Sequence, residues 1–180
     1  MKFQVVPKNI NNLDKIIENI PGDKSISHRA IMIGSLAKQE IVFRNFLFAD
    51  DCINTIKIFQ SLGIKINYDI TKKIVKLQGN GLYGLKAPSE ILNVGNSGTL
   101  IRIITGILAA QNFSCLLDGD DSIRTRPMKR VIEPLSLRGA KIKGQKLPGK
   151  TDIYPPLTIT GQKLKSISYQ LPIPSAQIKS

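Results

Sequence analysis

The side chains of this sequence that could do chemistry are cations and small polar groups beside predicted helix starts. Lys24, Ser25 and Arg29 lie at or near the first start, and residues 96–99, Asn-Ser-Gly-Thr, form a second. The first turn of a helix leaves backbone N–H groups without helical partners and carries a partial positive charge, so it attracts anions. This pattern predicts a site for a strongly anionic ligand that carries phosphate and carboxylate groups.

Two further arginines, Arg124 and Arg126, flank a third predicted helix start, in which Pro127 would occupy a first-turn position. Taken singly, each arginine is most simply explained as a solvated surface charge. Recurrence at equivalent helix starts favours a functional interpretation, because helix-end anion sites are a recurring use of this geometry. If these helix starts pack side by side, their first turns face one shared binding site.

An internal repeat supplies the elements that position these groups. Gly22 precedes Arg29 by seven residues and Gly95 precedes Arg102 by seven, and an apolar stretch that ends in Leu-Ala follows each arginine. Further matches follow in the same order, namely the aspartate pairs at 50–51 and 120–121 and the glycines Gly63 and Gly139. Such self-similarity indicates one supersecondary unit used more than once.

Each copy is predicted to be a β-α-β-α-β-β unit, used twice, with a third copy beginning near Ile167. Gly63 and Gly139 are expected to be left-handed helix caps, and Pro134 should kink its helix or shift its start. The apolar helical faces are Ile26, Ala30, Ile33 and Ala37 in the first copy and Leu100, Ile103, Ile104, Ile107 and Leu108 in the second. The predicted strands include residues 41–43, 64–68, 74–78 and 113–117.

The composition indicates one soluble α/β domain of 180 residues, with 42% hydrophobic residues and no tryptophan. No run of about 18 apolar residues is present, so no membrane span is expected. The N-terminus lacks the apolar core of a secretory signal, and the acids Asp14 and Glu18 disfavour a transit peptide. We therefore expect a cytoplasmic protein in a reducing compartment.

The formal net charge of +13 raises the question of a nucleic-acid or membrane partner. Most lysines are scattered singly, and the sequence has no basic stripe with interleaved aromatic residues of the kind that single-strand binders use. The one cluster is predicted to be a solvated turn and consists of Lys141, Lys143, Lys146 and Lys150. We expect neither nucleic acid nor membrane as a partner.

Residues 79–84 match the Gly-x-Gly-x-x-Gly pattern of dinucleotide-binding proteins. Leu-Lys-Ala-Pro follows at 85–88, so no helix start is available for a pyrophosphate, and a glycine-rich turn is predicted instead.

Histidine and cysteine are too few for a metal centre or a disulfide framework. His28, the only histidine, is predicted to pack in the protein or lie on its surface, and Cys52 and Cys115 are predicted to be small core residues. We expect no metal and no cofactor.

Four blocks of the sequence resemble consecutive blocks of the 5-enolpyruvylshikimate-3-phosphate synthase family. They are residues 21–30 (PGDKSISHRA), 95–99 (GNSGT), 124–128 (RTRPM) and 175–180 (SAQIKS), and residues 154–157 (YPPL) also occur at the matching place. The blocks run in family order across nearly the whole chain, so the match is specific.

The resemblance implies transfer of the enolpyruvyl group of phosphoenolpyruvate to the 5-hydroxyl of shikimate 3-phosphate, with release of phosphate and without a cofactor. The residues that match shikimate 3-phosphate contacts are Lys24, Ser25, Arg29, Ser175 and Gln177. Those that match phosphoenolpyruvate contacts are Lys24, Gly98, Arg126 and Gln177. Lys24 and Arg126 would supply electrostatic stabilisation.

Members of this family have two domains, each built of three β-α-β-α-β-β units, that close over the substrates at their cleft. The resemblance assigns residues 1–20 to the second domain and residues 21–180 to an incomplete N-terminal domain, with units at about 21–84, 85–150 and 151–180. The family's groups for proton transfer lie in the second domain, so we assign no catalytic residue here and expect the chain alone to be inactive. Because the sequence stops where a third helix should begin, we expect a truncated reading frame or a fragment, and a monomer when the protein is full length.

Two alternatives stay open. The enolpyruvyl transferase that acts on UDP-N-acetylglucosamine shares the fold, but its members carry Gly-Ala-Lys-Asn near the start and usually a cysteine in a flexible loop. Here residues 22–25 read Gly-Asp-Lys-Ser, and Cys115 falls in a predicted strand. The second alternative is a non-catalytic anion-binding remnant. The missing half favours it, but it is disfavoured by the retention of four residues, Lys24, Arg29, Arg126 and Gln177.

Overall fold

The computed structural model describes residues 20–172 and 175–179, so expectations that concern residues 1–19 and Ser180 lie outside the described residues. Its helices are α1 (Lys24–Ser35), α2 (Asp50–Ser61), α3 (Gly98–Ala109), α4 (Asp121–Arg124), α5 (Lys129–Leu137) and α6 (Ala176–Lys179). Its strands are β1 (Glu40–Arg44), β2 (Lys65–Asp69), β3 (Ile74–Gln78), β4 (Leu92–Asn93), β5 (Ser114–Asp118), β6 (Lys141–Gln145) and β7 (Tyr154–Thr160).

The strands form two sheets with the same plan. β1, β3 and β2 lie side by side in that order, and both pairings are antiparallel. β5, β7 and β6 repeat the order and the pairings, and β4 adds a parallel strand beside β5. The α/β class and the repeat inferred from the sequence are thus confirmed.

The chain after β7 is irregular as far as the structure describes it. β7 pairs with β5 and β6, so it belongs to the second sheet. Described residues 161–172 contain neither helix nor strand, and α6 follows. No element therefore begins near Ile167, where the third copy is predicted.

A shared hydrophobic core joins the two copies. The predicted apolar face of α3 is confirmed, since Leu100, Ile104 and Leu108 are fully buried. Burying each such side chain contributes about 1.5–3 kcal/mol. Cys52 and Cys115 also lie in the core as free thiols, and burial raises the pKa of each to about 11.

α1 packs through a different face from the one that its isoleucines predict. Ile26 and Ile33 are 69% and 68% exposed, so this part of the prediction is wrong. The buried residues of α1 are Ser27, His28, Ile31, Met32, Gly34 and Ser35. Ser27 can face the core here because its hydroxyl is paired: Ser27 Oγ accepts a hydrogen bond from the Leu47 amide at 3.0 Å. Gly34 faces the ring of Phe43, and a Cβ on Gly34 would lie 2.9 Å from that ring.

The second helix of the second copy is broken into α4 and α5, so the predicted first-turn position of Pro127 is wrong. α4 ends at Arg124, and Pro127 precedes Met128, the N-cap of α5. The Asp152 carboxylate accepts hydrogen bonds from the amides of Met128 and Lys129 at 3.0 and 2.9 Å. A residue distant in sequence therefore determines where α5 begins, and local pattern could not reveal it.

Several local expectations are confirmed. Gly63 and Gly139 follow α2 and α5 with φ values of 87° and 94°, in the left-handed region. Pro134 lies inside α5, five residues after the helix begins, so the kink or shift expected of it stays a prediction. Residues 79–84 form a loop that no helix follows.

The lysine cluster is exposed, but it is only partly a turn. Lys141 and Lys143 lie on β6, the edge strand of its sheet, whereas Lys146 and Lys150 lie in the connection to β7. Lysines on an edge strand oppose pairing with another chain. Among the described residues, no helix is both long and apolar enough to cross a membrane.

His28 has the packing role predicted for it. It is fully buried, and its Nδ1 lies 2.7 Å from Thr55 Oγ1. Within the described part of the chain, its Nε2 has no hydrogen-bond partner. Burial lowers the pKa of His28 below 6.5; Asp51 opposes this shift, and Lys24 and Arg29 reinforce it.

The stability of the protein should therefore depend on the ionisation of His28. Because its folded-state pKa lies below the unfolded value, its contribution is complete above about pH 6.5 and is lost as the pH falls further. We expect the free energy of unfolding, measured with urea, to fall between about pH 7 and pH 5 in the wild type and to fall less in His28→Asn, which keeps a polar group toward Thr55 but does not titrate. Equal slopes in the two proteins would contradict this prediction.

Candidate anion-binding site

A polar cavity of about 200 Å³ lies where the first turns of α1 and α3 meet the segment between α4 and α5. It brings together predicted site residues from four separate parts of the sequence: Lys24, Gly98, Arg126 and Gln177. Its lining consists of Lys24, Asp51, Asn96, Gly98, Thr99, Arg102, Arg126 and Gln177.

A larger cavity of about 530 Å³ lies next to it, between α3, α5 and α6. That cavity shares Arg102 and Gln177 with the polar one, but its lining includes neither Lys24 nor Arg126, and apolar side chains contribute much of it. The larger cavity is also lined by cations, namely Arg102, Arg138 and Lys179. The smaller cavity is the candidate site for an anion because its lining is polar and lies at the first turns of α1 and α3.

The start of α1 contributes Lys24 to the cavity. Asp23, not a serine, is the N-cap, and its side chain accepts a hydrogen bond from the Ile26 amide at 2.8 Å. Lys24 Nζ lies 3.0 Å from Asp51 Oδ2, at the start of α2. The lysine side chain is half exposed, so an incoming anion can compete with Asp51 for it.

The start of α3 contributes backbone N–H groups. Ser97 is buried, and its Oγ accepts a hydrogen bond from the Leu100 amide at 3.3 Å. Gly98 is the first residue of the helix, and its lack of a side chain lets two arginines approach closely: a Cβ there would collide with the guanidinium of Arg126 and lie 2.8 Å from Arg102 Nη1. Two guanidinium groups therefore lie directly against the first turn of α3.

Arg126 lies between α4 and α5, where its position is held on both sides. Its amide donates to the Ile123 carbonyl at 2.9 Å, and its Nη2 donates to Ser122 Oγ at 3.2 Å. On the other side, Asp152 Oδ1 accepts the Met128 and Lys129 amides, and that of Ile153 at 2.7 Å. Arg126 thus keeps its charge available at the cavity.

Arg124 does not belong to the cavity, in contrast to the prediction that it flanks a helix start with Arg126. It lies in the last turn of α4, and its Nη2 contacts Asp118 Oδ2 at 2.8 Å. Burial would raise the pKa of Asp118, but hydrogen bonds from Arg124 and from the Gly119 amide outweigh it and lower that pKa. Arg124 therefore holds α4 against the end of β5.

Gln177 reaches the cavity from α6. Its Nε2 lies 3.3 Å from Thr99 Oγ1, and its Oε1 accepts a hydrogen bond from Arg130 Nη2 at 3.4 Å. Ser25, Arg29 and Ser175 do not line the cavity. Ser25 and Arg29 lie beside Lys24 on α1, where Arg29 Nη1 donates to the Ser25 carbonyl at 3.2 Å.

Three residues around the site were not singled out as site residues from the sequence: Asp51, Arg102 and Asp152. The repeat did mark Arg102, as the counterpart of Arg29, but assigned it no role. Burial, together with the charges of Arg130 and Arg126, lowers the pKa of Arg102 to about 10, and Asp152 opposes this shift. Cations thus crowd this region, which favours an anionic ligand. The described residues include no group of three or more side chains suited to bind a metal ion.

The role of Asp152 at the start of α5 can be tested by substitution. Asp152→Ala removes an acceptor shared by three amides and should lower the free energy of unfolding by about 1–2 kcal/mol. Asp152→Asn retains an acceptor oxygen and should cost less. Urea denaturation of the three proteins measures both effects, and an unchanged value for Asp152→Ala would show that these hydrogen bonds do not hold α5.

Comparisons with known proteins agree with this architecture. A family model described as EPSP synthase (3-phosphoshikimate 1-carboxyvinyltransferase) matches residues 7–180. The chain is 52% identical over 166 residues to 3-phosphoshikimate 1-carboxyvinyltransferase of Thermoanaerobacter sp. (strain X514), covering 92% of this chain and 37% of that relative. It is 51% identical over 161 residues to the Brevibacillus brevis protein of the same name, covering 89% and 36%.

A solved structure shows the same fold. EPSP synthase from Acinetobacter baumannii, at 42% sequence identity, matches with a TM-score of 0.83 and covers 89% of this chain and 35% of that one. The chain therefore spans only about 37% of the length of the curated relatives named above. Because the family match extends over nearly all of its residues, this chain belongs to the EPSP synthase family.

Proposed function

We propose that this protein transfers the enolpyruvyl group of phosphoenolpyruvate to the 5-hydroxyl of shikimate 3-phosphate, with release of phosphate. The curated relatives bear the name 3-phosphoshikimate 1-carboxyvinyltransferase, and the family match supports the same reaction here. Since the chain spans about 37% of those relatives, the activity is proposed for the full-length protein, to which these residues contribute one wall of the site.

The observation that carries the proposal is the polar cavity at the first turn of α3. Lys24, Arg126 and the first two residues of that helix, Gly98 and Thr99, line one volume of about 200 Å³. Phosphoenolpyruvate carries a phosphate and a carboxylate, and both are groups that arginine, lysine and helix N-termini bind. Gly98 and Arg126 are therefore proposed to bind phosphoenolpyruvate.

Shikimate 3-phosphate is proposed to lie along the start of α1. Ser25 and Arg29 stand there beside Lys24, which lines the cavity and would contact both substrates. Gln177 lies across the cavity, hydrogen-bonded to Thr99, and it would contact both substrates as well. Ser175, just before α6, is proposed to contact shikimate 3-phosphate.

The proposed contribution of these residues is binding and charge stabilisation. The reaction needs a proton delivered to the methylene carbon of phosphoenolpyruvate and a proton removed from the attacking hydroxyl. Asp51 is the one carboxylate in the described lining of the cavity, and Lys24 holds it at 3.0 Å. Lys24 and Arg126 instead suit the developing negative charge on the leaving phosphate, and proton transfer is proposed to use groups elsewhere in the full-length protein.

The remaining expectations are also proposals. Two buried free cysteines fit a reducing compartment, which supports a cytoplasmic location. We also propose that the full-length protein acts as a monomer.

Binding of shikimate 3-phosphate tests the proposal directly. Titration calorimetry of the 180-residue chain should detect weak binding, and Arg29→Ala should weaken it by about tenfold or more, because charge-assisted hydrogen bonds to a phosphate are lost. Arg44→Ala, which removes an exposed arginine on β1, serves as the matched control and should bind like the wild type. Equal binding by Arg29→Ala and the wild type would remove the basis of the proposal.

Turnover by the same chain gives a separate test. With both substrates present, we expect the 180 residues to release no phosphate above the background rate, because the described cavity lacks a free acid or base for the two proton transfers. A colorimetric phosphate assay at micromolar enzyme measures this. Measurable release, abolished by Arg126→Met, would show that proton transfer is supplied within these residues.

A further inference from the structure

Arg102 is the counterpart of Arg29 in the second copy of the repeat, and the structure gives the two side chains the same local contact. Arg29 Nη1 donates to the carbonyl of Ser25, four residues earlier, at 3.2 Å. Arg102 Nη1 donates to the carbonyl of Gly98, also four residues earlier, at 2.9 Å. The repeat has therefore placed an arginine over the first turn of both α1 and α3.

Arg102 is more deeply buried than Arg29, and it also contacts the segment between α4 and α5. It is only 7% exposed, and its Nη2 lies 3.4 Å from the carbonyl of Pro127. One guanidinium thus links the first residue of α3 to the residue that follows Arg126. These two segments are the ones proposed to hold phosphoenolpyruvate.

Packing around Gly98 reinforces this link. The space that a Cβ on Gly98 would occupy lies against the guanidinium groups of both Arg102 and Arg126. The guanidinium of Arg126 consequently lies against the backbone of α3, while Arg102 contacts the carbonyl of the next residue, Pro127. A change in the length or planarity of the side chain at 102 would alter the position of Arg126.

The stability of the fold does not account for a charged residue at position 102. In the described part of the chain its Nε has no hydrogen-bond partner, and none of the ion pairs recorded there includes it. Its cationic neighbours are Arg126 and Arg130, and Asp152 opposes them only in part. A buried charge without a close partner costs free energy, so an apolar side chain of similar volume would stabilise the fold at least as well.

The geometry points to Arg102 as a positioning residue that fixes Arg126 against the first turn of α3, so that both can bind the anionic groups of phosphoenolpyruvate. This inference rests on the proposed function. The role requires a planar group that donates to two carbonyls at once. Lysine has the charge but not the two-pronged geometry, and methionine has the volume but neither.

The variants Arg102→Lys and Arg102→Met test this role in the 180-residue chain. Calorimetry with phosphoenolpyruvate, in the presence of saturating shikimate 3-phosphate, should show affinity reduced by about tenfold or more in both variants, as expected for losing charge-assisted hydrogen bonds. Affinity for shikimate 3-phosphate alone should stay within about twofold, since its proposed contacts lie on α1 and α6. The melting temperature of Arg102→Met should equal or exceed that of the wild type.

Arg138→Met is the matched control. Arg138 also donates to the carbonyl of a distant segment, that of Lys165, at 3.0 Å, but it does not line the polar cavity. Its loss should leave phosphoenolpyruvate affinity unchanged.

The contrary results are distinct. Wild-type affinity for phosphoenolpyruvate in Arg102→Lys would show that charge alone suffices and would overturn the positioning role while leaving the proposed function intact. An equal loss of affinity for both ligands, or a lower melting temperature in Arg102→Met, would show that Arg102 has a structural role. Either result would also overturn the positioning role.

If the wild type binds neither substrate, that result contradicts the proposed function but does not test the role of Arg102. A measurement without ligand then tests that role. The Arg126 amide donates to Ile123 and the Met128 amide to Ile153, at 2.9 and 2.8 Å. Hydrogen exchange of these two amides should be faster in both Arg102 variants than in the wild type and in Arg138→Met. Unchanged exchange at both amides would overturn the positioning role.

Discussion

The proposed site depends on the close approach of two guanidinium groups to the backbone of Gly98. Arg102 and Arg126 occupy the space that any larger residue at 98 would need. Like charges at such distances repel, so the arrangement persists only because backbone carbonyls, Ser122 and the surrounding core hold the side chains in place. An anion bound at this position would offset the repulsion, which is consistent with the anionic ligand proposed for the cavity.

The repeat makes this arrangement possible. Two sheets with one strand order present α1 and α3 as equivalent helices, and the shared core fixes their first turns near one another. The second copy then departs from the first: a break between α4 and α5 places Arg126 at the cavity, where an unbroken helix would not. Asp152 determines that break from a distance of more than twenty residues in sequence.

Sequence reasoning predicted the features that depend on local or repeated pattern. The two copies, the glycine caps and the apolar face of α3 belong to this class. The convergence of helix starts also led us to expect Lys24, Gly98 and Arg126 near one another, whereas Gln177 was assigned only by the family resemblance. Sequence reasoning failed where tertiary contacts override pattern. Ile26 and Ile33 are exposed because Ser27, His28 and Gly34 pack more closely. The roles of Asp51, Arg102 and Asp152 depend on partners elsewhere in the chain and leave no local signal.

The central claim is that an anion is bound at the first turn of α3. The most direct test is an NMR titration of the labelled chain with phosphoenolpyruvate in the presence of shikimate 3-phosphate. The account predicts the largest shifts at the amides of Gly98, Thr99 and Leu100 and at Arg126 Nε, with little change on β1 and β2. Chemical-shift changes that occur elsewhere in the chain but not at the first turn of α3 would contradict it.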